Sequence, residues 1–221
     1  AISGPISDNL RGRLVAKSYE DDGWMDNQAP GGDDGPAQDN KVVRGSLVWD
    51  ATDNLRWTAK VEVGEFDVTG RQFKITTSTP TSDFLFGFGV DPNFDSSLGF
   101  NEKQSLATFP GRKEKDENDS EIYQLTAEYA MGDYSLRSIS AYTKYDFDNC
   151  VDGDYSPLIF LDRCRGEDHE QFTQEFLLTS PMVGNFEYLA GLYYQYAELN
   201  SDTNTSLFWS AIPPIEGAIL G

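Results

Sequence analysis

Residues 55–63 alternate without a fault. Leu55, Trp57, Ala59, Val61 and Val63 fall on one side of an extended chain, and Arg56, Thr58, Lys60 and Glu62 fall on the other. A strict period of two is a strand signal that no amphipathic helix gives. Related segments recur at 10–17, 42–50, 122–130, 134–147, 172–180 and 186–199. What joins them is lopsided. Ala51-Thr52-Asp53-Asn54, Met131-Gly132-Asp133 and residues 181–185 make tight turns, and Gly4-Pro5-Ile6-Ser7-Asp8-Asn9 reads as another. The intervening connections are long and polar, at about 20–41, 66–121, 148–169 and 200–221. A structureless stretch as long as 66–121 is rare inside a compact domain. Short turns at one end and long loops at the other are the signature of an antiparallel transmembrane β-barrel.

Composition agrees with that reading. Hydrophobic residues are 38% of the 221, low for a two-layer globule, and aromatics are 13%. No apolar run approaches the ~20 residues of a membrane-spanning helix, but a barrel strand needs only every second residue to be apolar. Asp and Glu outnumber Lys and Arg 37 to 17. Such a chain repels phosphate backbones, which argues against nucleic acid as a partner. No signal peptide is visible at Ala1, so the expectation is a mature or internal segment. Cys150 and Cys164 lie within one expected loop and read as a disulfide in an exported protein; the alternative is two free thiols.

The strand faces suggest roles. Arg11, Arg13, Lys17, Arg44, Arg56 and Lys60 share the polar phase of their segments. They are the candidate lumen-facing residues, placed to guide an anionic solute or to pair with carboxylates of a domain filling the barrel. Trp49, Trp57, Tyr123, Tyr129 and Tyr188 fall in the apolar phase and read as lipid-facing and interfacial anchors. Segment 134–147 changes parity between Leu136 and Ile139, which predicts a bulge near Arg137. The count is seven strands, or eight with the N-terminal stub. Nothing marks a first strand meeting a last, although a barrel must close in lipid. The expectation is an all-β chain, an internal section of a larger barrel, with 1–221 as part of one barrel domain.

Several runs resemble the TonB-dependent outer-membrane receptors. Gly4-Pro5-Ile6-Ser7-Asp8-Asn9-Leu10-Arg11-Gly12-Arg13-Leu14 is similar to an early hairpin of that family, and Asp22-Gly23-Trp24-Met25-Asp26-Asn27 to the strand end after it. Gly45-Ser46-Leu47-Val48-Trp49-Asp50-Ala51-Thr52-Asp53-Asn54-Leu55 resembles the next hairpin. So do Ser138-Ile139-Ser140-Ala141-Tyr142, Phe172-Thr173-Gln174-Glu175-Phe176-Leu177-Leu178-Thr179-Ser180-Pro181 and Tyr188-Leu189-Ala190-Gly191-Leu192-Tyr193-Tyr194. The resemblance implies a 22-stranded barrel around a plug domain. It implies a bacterial outer-membrane location and uptake of a scarce nutrient: a ferric siderophore, cobalamin or an oligosaccharide. Energy would come from TonB through the plug, and neither a plug sequence nor a TonB-contacting box is found here.

Catalysis has little to work with. His169 is the one histidine, in Glu167-Asp168-His169-Glu170, and reads as solvated at a strand edge. No catalytic residue, cofactor or metal site is expected. Asp146, Asp148, Asp152 and Asp154 crowd around Gly153 but lack EF-hand spacing. Divalent cations could still bridge such loops to lipopolysaccharide. Gly87 and Gly89 lack the strand–helix context of a phosphate loop. Phe84, Phe86 and Phe88 form an apolar patch, a candidate ligand contact in the loop. Two other readings stand beside the importer. One is a passive porin-type barrel. The other is a soluble carbohydrate-binding β-sandwich, which requires two packed sheets.

Overall fold

The computed structural model describes residues 1–29, 31–77, 79, 98–104, 106, 107, 113–156 and 158–207. The strands in chain order are β1 Ile2–Ser7, β2 Leu10–Asp21, β3 Asp26–Asn27, β4 Ala37–Thr52 and β5 Leu55–Thr69. They continue with β6 Lys103–Gln104, β7 Lys115–Met131, β8 Tyr134–Asp152, β9 Leu161–Thr179 and β10 Leu189–Leu207. Eight of them form one sheet in the order β1-β2-β4-β5-β7-β8-β9-β10, every neighbouring pair antiparallel. The sheet is an up-and-down meander, and β1 and β10 are its two free edges. The short pair β3–β6 is parallel and lies in the long connections.

Directly paired residues share a face, so the registers sort the side chains. One tier crosses the sheet as Trp49, Trp57, Ala127, Ser138, Phe176 and Leu192. Another, nearer the long connections, runs Gly45, Val61, Tyr123, Tyr142, Phe172 and Tyr196. This face is apolar and bare: Leu47 is 46% exposed, Trp49 46%, Leu125 45% and Leu192 69%. An apolar face of this breadth needs lipid or protein against it. Along β5 it runs from Leu55 to Val63, about nine residues, and a tilted barrel strand crosses a bilayer in ~9–11.

Buried apolar side chains lie elsewhere. Among the described residues they are Met25, Ala29, Leu106, Ala107 and Leu158, all in the long connections. The sheet is therefore a wall one layer thick, and the packed core is a cap at one end of it. A sandwich would instead have buried one sheet face against another.

The strands run further than their periodicity shows. β8, β9 and β10 have 19 residues each, about twice what a bilayer needs. The excess lies toward the long connections, which shorten to 22–36, 70–114 and 153–160. β10 continues through the expected polar tail to Leu207; residues 208–221 lie outside the described residues. The stretch Gly4-Pro5-Ile6-Ser7 is strand rather than turn, and only Asp8 and Asn9 turn. Pro5 lacks an N–H, which an edge strand tolerates, and the register shifts between Pro5 and Ser7.

The bulge expected near Arg137 is absent. β8 pairs in continuous register with β7 from Tyr134 to Cys150 and with β9 from Ser135 to Asp152. The parity change has another cause. Ser138 and Ser140 occupy the apolar face and bond sideways to Gln174: Ser140 Oγ donates to Gln174 Oε1 at 2.5 Å, and Gln174 Nε2 donates to Ser138 Oγ at 3.0 Å. Polar side chains that satisfy one another are tolerated on such a face, so the strand need not kink to hide them.

Candidate functional site

All six candidate cations lie on the face opposite the apolar one. The short turns position them by fixing parity: Asp50 N donates to Asn9 O at 2.8 Å and Ala130 N to Asn54 O at 2.8 Å, locking adjacent hairpins in register. Nearest that end, Asp50, Arg56, Glu128 and Arg137 stand side by side on four strands. Asp50 accepts from Arg11 at 2.8 Å and from Arg56 at 2.5 Å, and Arg137 lies 3.7 Å from Glu128. Alternating charges across strands support pairing. Arg44 pairs with Glu62 across β4 and β5.

Three candidates remain. Arg13, Ser46 and Lys60 form one tier on β2, β4 and β5. Neither Arg13 nor Lys60 has a carboxylate partner among the described residues. Lys17, further along β2, has none either, and its ammonium sits 5.9 Å from the centre of the Tyr19 ring. On β2, β4 and β5 the six cations thus meet only Asp50 and Glu62 as paired carboxylates, in a chain of net charge -20.

The negative charge collects on the other face, beyond the aromatic tier. Lys41, Glu65, Asp119, Asp146 and Asp168 make one cross-strand tier there. Asp39, Asp67, Glu117 and Asp148 make the next. Lys115 bridges Glu117 at 2.7 Å and Asp148 at 2.6 Å. Past them is the disulfide. Cys150 and Cys164 are directly opposed on β8 and β9, with Cα atoms 4.1 Å apart. The bond forms as expected, but between paired strand positions rather than within a loop.

The cap is knitted from three connections. Asn27 clamps the second: its Nδ2 donates to Leu106 O at 2.9 Å and its Oδ1 accepts from Leu106 N at 3.1 Å. Ala107 N donates to Ser156 O at 3.0 Å, joining the second connection to the third. Beneath this contact lie buried carboxyls. Glu114 Oε1 accepts from Asp152 N at 2.9 Å. Asp152 accepts from Asp154 N at 3.0 Å and from Ser156 N at 3.2 Å. Burial pushes the Asp152 carboxyl up to about 8, with the nearby charges of Asp154 and Glu114 adding to it. Burial raises Asp154 and Glu114 as well.

The remaining sequence candidates separate. Phe84, Phe86 and Phe88 lie outside the described residues. His169 is not at a solvated edge: it sits within β9, half-buried, its ring stacked on Tyr145 at 4.9 Å. Asp146 and Asp148 face outward from β8, whereas Asp152 and Asp154 turn into the cap. Among the described residues no group of three acidic, histidine or cysteine side chains could hold a metal ion. Sequence reasoning missed the cap. Its only signal is the scatter of Met25, Leu106 and Leu158 through polar stretches, which has no period to reveal it.

No protein-family model matches the sequence, and no curated protein matches it. Solved structures do. The ferric yersiniabactin uptake receptor FyuA from Yersinia pestis superposes with a TM-score of 0.72 over 93% of this chain, at 17% identity. The chain has the fold of a section of such a receptor's β-barrel. A chain of the FpvAI–pyocin S2 complex gives a TM-score of 0.62 over 94%, at 14% identity. This barrel section spans 29% of the first chain and 27% of the second, less than a third of either.

Proposed function

We propose that this chain is part of the wall of an outer-membrane importer. In this reading the apolar face meets lipid and the cationic face of β2, β4 and β5 lines the lumen. The free edges of β1 and β10 pair with further strands, because unpaired backbone in hydrocarbon costs several kcal/mol per group. The solute is a scarce nutrient of the ferric siderophore, cobalamin or oligosaccharide class, driven by TonB acting through a plug in the lumen. The acidic tiers beyond the aromatic tier meet lipopolysaccharide. The role is transport rather than catalysis.

The observation that carries this reading is the sidedness of the sheet: one face bare and apolar over about nine residues, the other holding the six cations. FyuA, named as an uptake receptor, supports import over other barrel functions. A soluble sandwich is set aside, since among the described residues no second sheet covers the apolar face.

Accumulation of a ferric chelate, cobalamin and an oligosaccharide is to be measured in cells with and without the gene, energised and de-energised. An importer loses accumulation of one of these solutes on gene loss and again on de-energising. A passive pore keeps equilibrating its solute without energy, and that result would replace this reading. Replacing Arg13 and Lys60 together by Ala is expected to lower uptake of an anionic solute severalfold and to leave the protein's amount in the membrane unchanged. Equal uptake by the double variant would remove these two residues from the solute path.

A further inference from the structure

The cap contains a group of charges that the transport reading does not use. Glu114 is 3% exposed and Asp152 5%. Asp154 joins them, its carboxylate accepting from Leu161 N at 2.8 Å and from the Ser156 hydroxyl. Together these three carboxyls lie where Glu114, the end of β8 and Asp154–Ser156 meet. Ala107 N meets Ser156 O at 3.0 Å in the same contact. One oxygen of Glu114, Oε2, is buried without a hydrogen-bond partner.

We propose that Glu114, Asp152 and Asp154 form a protonation-dependent latch. It holds Ala107 against Ser156 while one of the three carboxyls keeps a proton, and it loosens when all three are charged. The idea is independent of which solute, if any, crosses the barrel.

The physical argument starts from spacing. Three carboxylates this close in a water-poor pocket repel, and one stays neutral to relieve the repulsion. The neighbours do not supply enough compensation. Arg71 is the cation near Glu114, but its guanidinium is committed to Asp116 and to Lys115 O at 3.3 Å. Asp33 and Asp116 add negative charge from the first connection and from β7. Asp162, buried at 7% exposure, faces Asp152 directly across β8 and β9. Among the described residues whose charges act on Glu114 and Asp152, the anions outnumber the one cation.

The sign follows. Asp152 binds its proton more tightly in the closed cap, where its carboxyl lies near 8, than in an open one, where it returns to about 3.8. Closure is fully favoured below about pH 4, weakens as the pH rises from there, and reaches its floor above about pH 8. Each pH unit in that window weakens closure by up to about tenfold.

The test is hydrogen–deuterium exchange on the detergent-solubilised protein between pH 5 and pH 9, corrected for intrinsic exchange. It follows peptides containing Ala107 and Ser156, with a peptide from β5 as the control. The latch predicts that protection at Ala107 falls at least tenfold between pH 6 and pH 9 while β5 holds. Glu114→Gln keeps the acceptor for Asp152 N and removes one charge, so it should stay closed to higher pH. Asp152→Asn removes the proton-binding group and should flatten the profile. Protection at Ala107 that does not change with pH overturns the proposal. So does a fall with the same midpoint in wild type and Glu114→Gln, because the titrating group would then lie elsewhere.

Discussion

Gly132 turns the chain between β7 and β8 with a φ of +63°, in the left-handed region. A side chain there costs about 1–2 kcal/mol per residue. Nothing within 4 Å would meet an added Cβ, so backbone conformation alone decides the outcome. Gly132→Ala is expected to destabilise the protein by about 1 kcal/mol, read as a lower urea midpoint with unchanged slope. No change would mean that the turn relaxes to another type. Charge matters differently at this scale. Asp50 serves two arginines, so Asp50→Asn should free both guanidiniums on the polar face, and a salt-dependent rise in binding of small anions would show it.

Strand faces are the next scale, and neighbouring residues on β7 test them. Leu125 belongs to the apolar face between Ala59 and Ser140, and Gln124 to the polar face between Lys60 and Ala141. An arginine at the bilayer midplane on a lipid-exposed strand costs about 2–4 kcal/mol. Leu125→Arg should cost that much, and Gln124→Arg under about 1 kcal/mol even beside Lys60. Equal costs in refolding titrations would refute the assignment of faces. The disulfide belongs to this scale too. Cys150 and Cys164 are separated by 14 in sequence, and closing a loop of that size stabilises by about 3 kcal/mol in the chain-entropy account. Reduction is expected to lower stability by that amount or less, since strand pairing already closes the hairpin. A stability that is indifferent to reductant would show that β8 and β9 alone hold the end.

The elements also show what the sequence could reveal. Where one face of a strand is apolar and the other polar, as from Leu55 to Val63, alternation is legible. The same strands beyond the aromatic tier have polar surroundings on both sides. Asp116 to Ser120 and Gly166 to Glu170 therefore carry no period, although both are strand. Ser138 and Ser140 misled for a related reason: their bonds to Gln174 made an apolar-face position look like a register fault. The cations on β2, β4 and β5 were legible as a face, but which of them are paired depends on Asp50 and Glu62 lying across strands. The cap was illegible because its core joins Met25, Leu106 and Leu158, residues far apart in sequence with no local pattern to link them.

At the scale of the whole molecule the sheet is a curtain with a packed hem. Its wall is one layer thick, its packed core lies in the loops, and its two faces differ in kind. Such a wall is not stable in water with its apolar face bare, so its surroundings are part of its structure. Single cysteines carrying an environment-sensitive fluorophore, placed in turn at Leu47, Leu125, Ser46 and Gln124, measure those surroundings directly in the protein reconstituted into lipid vesicles. The account predicts that labels at Leu47 and Leu125 are quenched by nitroxide lipids and shielded from a water-soluble quencher, while labels at Ser46 and Gln124 show the reverse. Quenching by the water-soluble agent at all four positions would contradict it, because the apolar face would then not lie in a membrane.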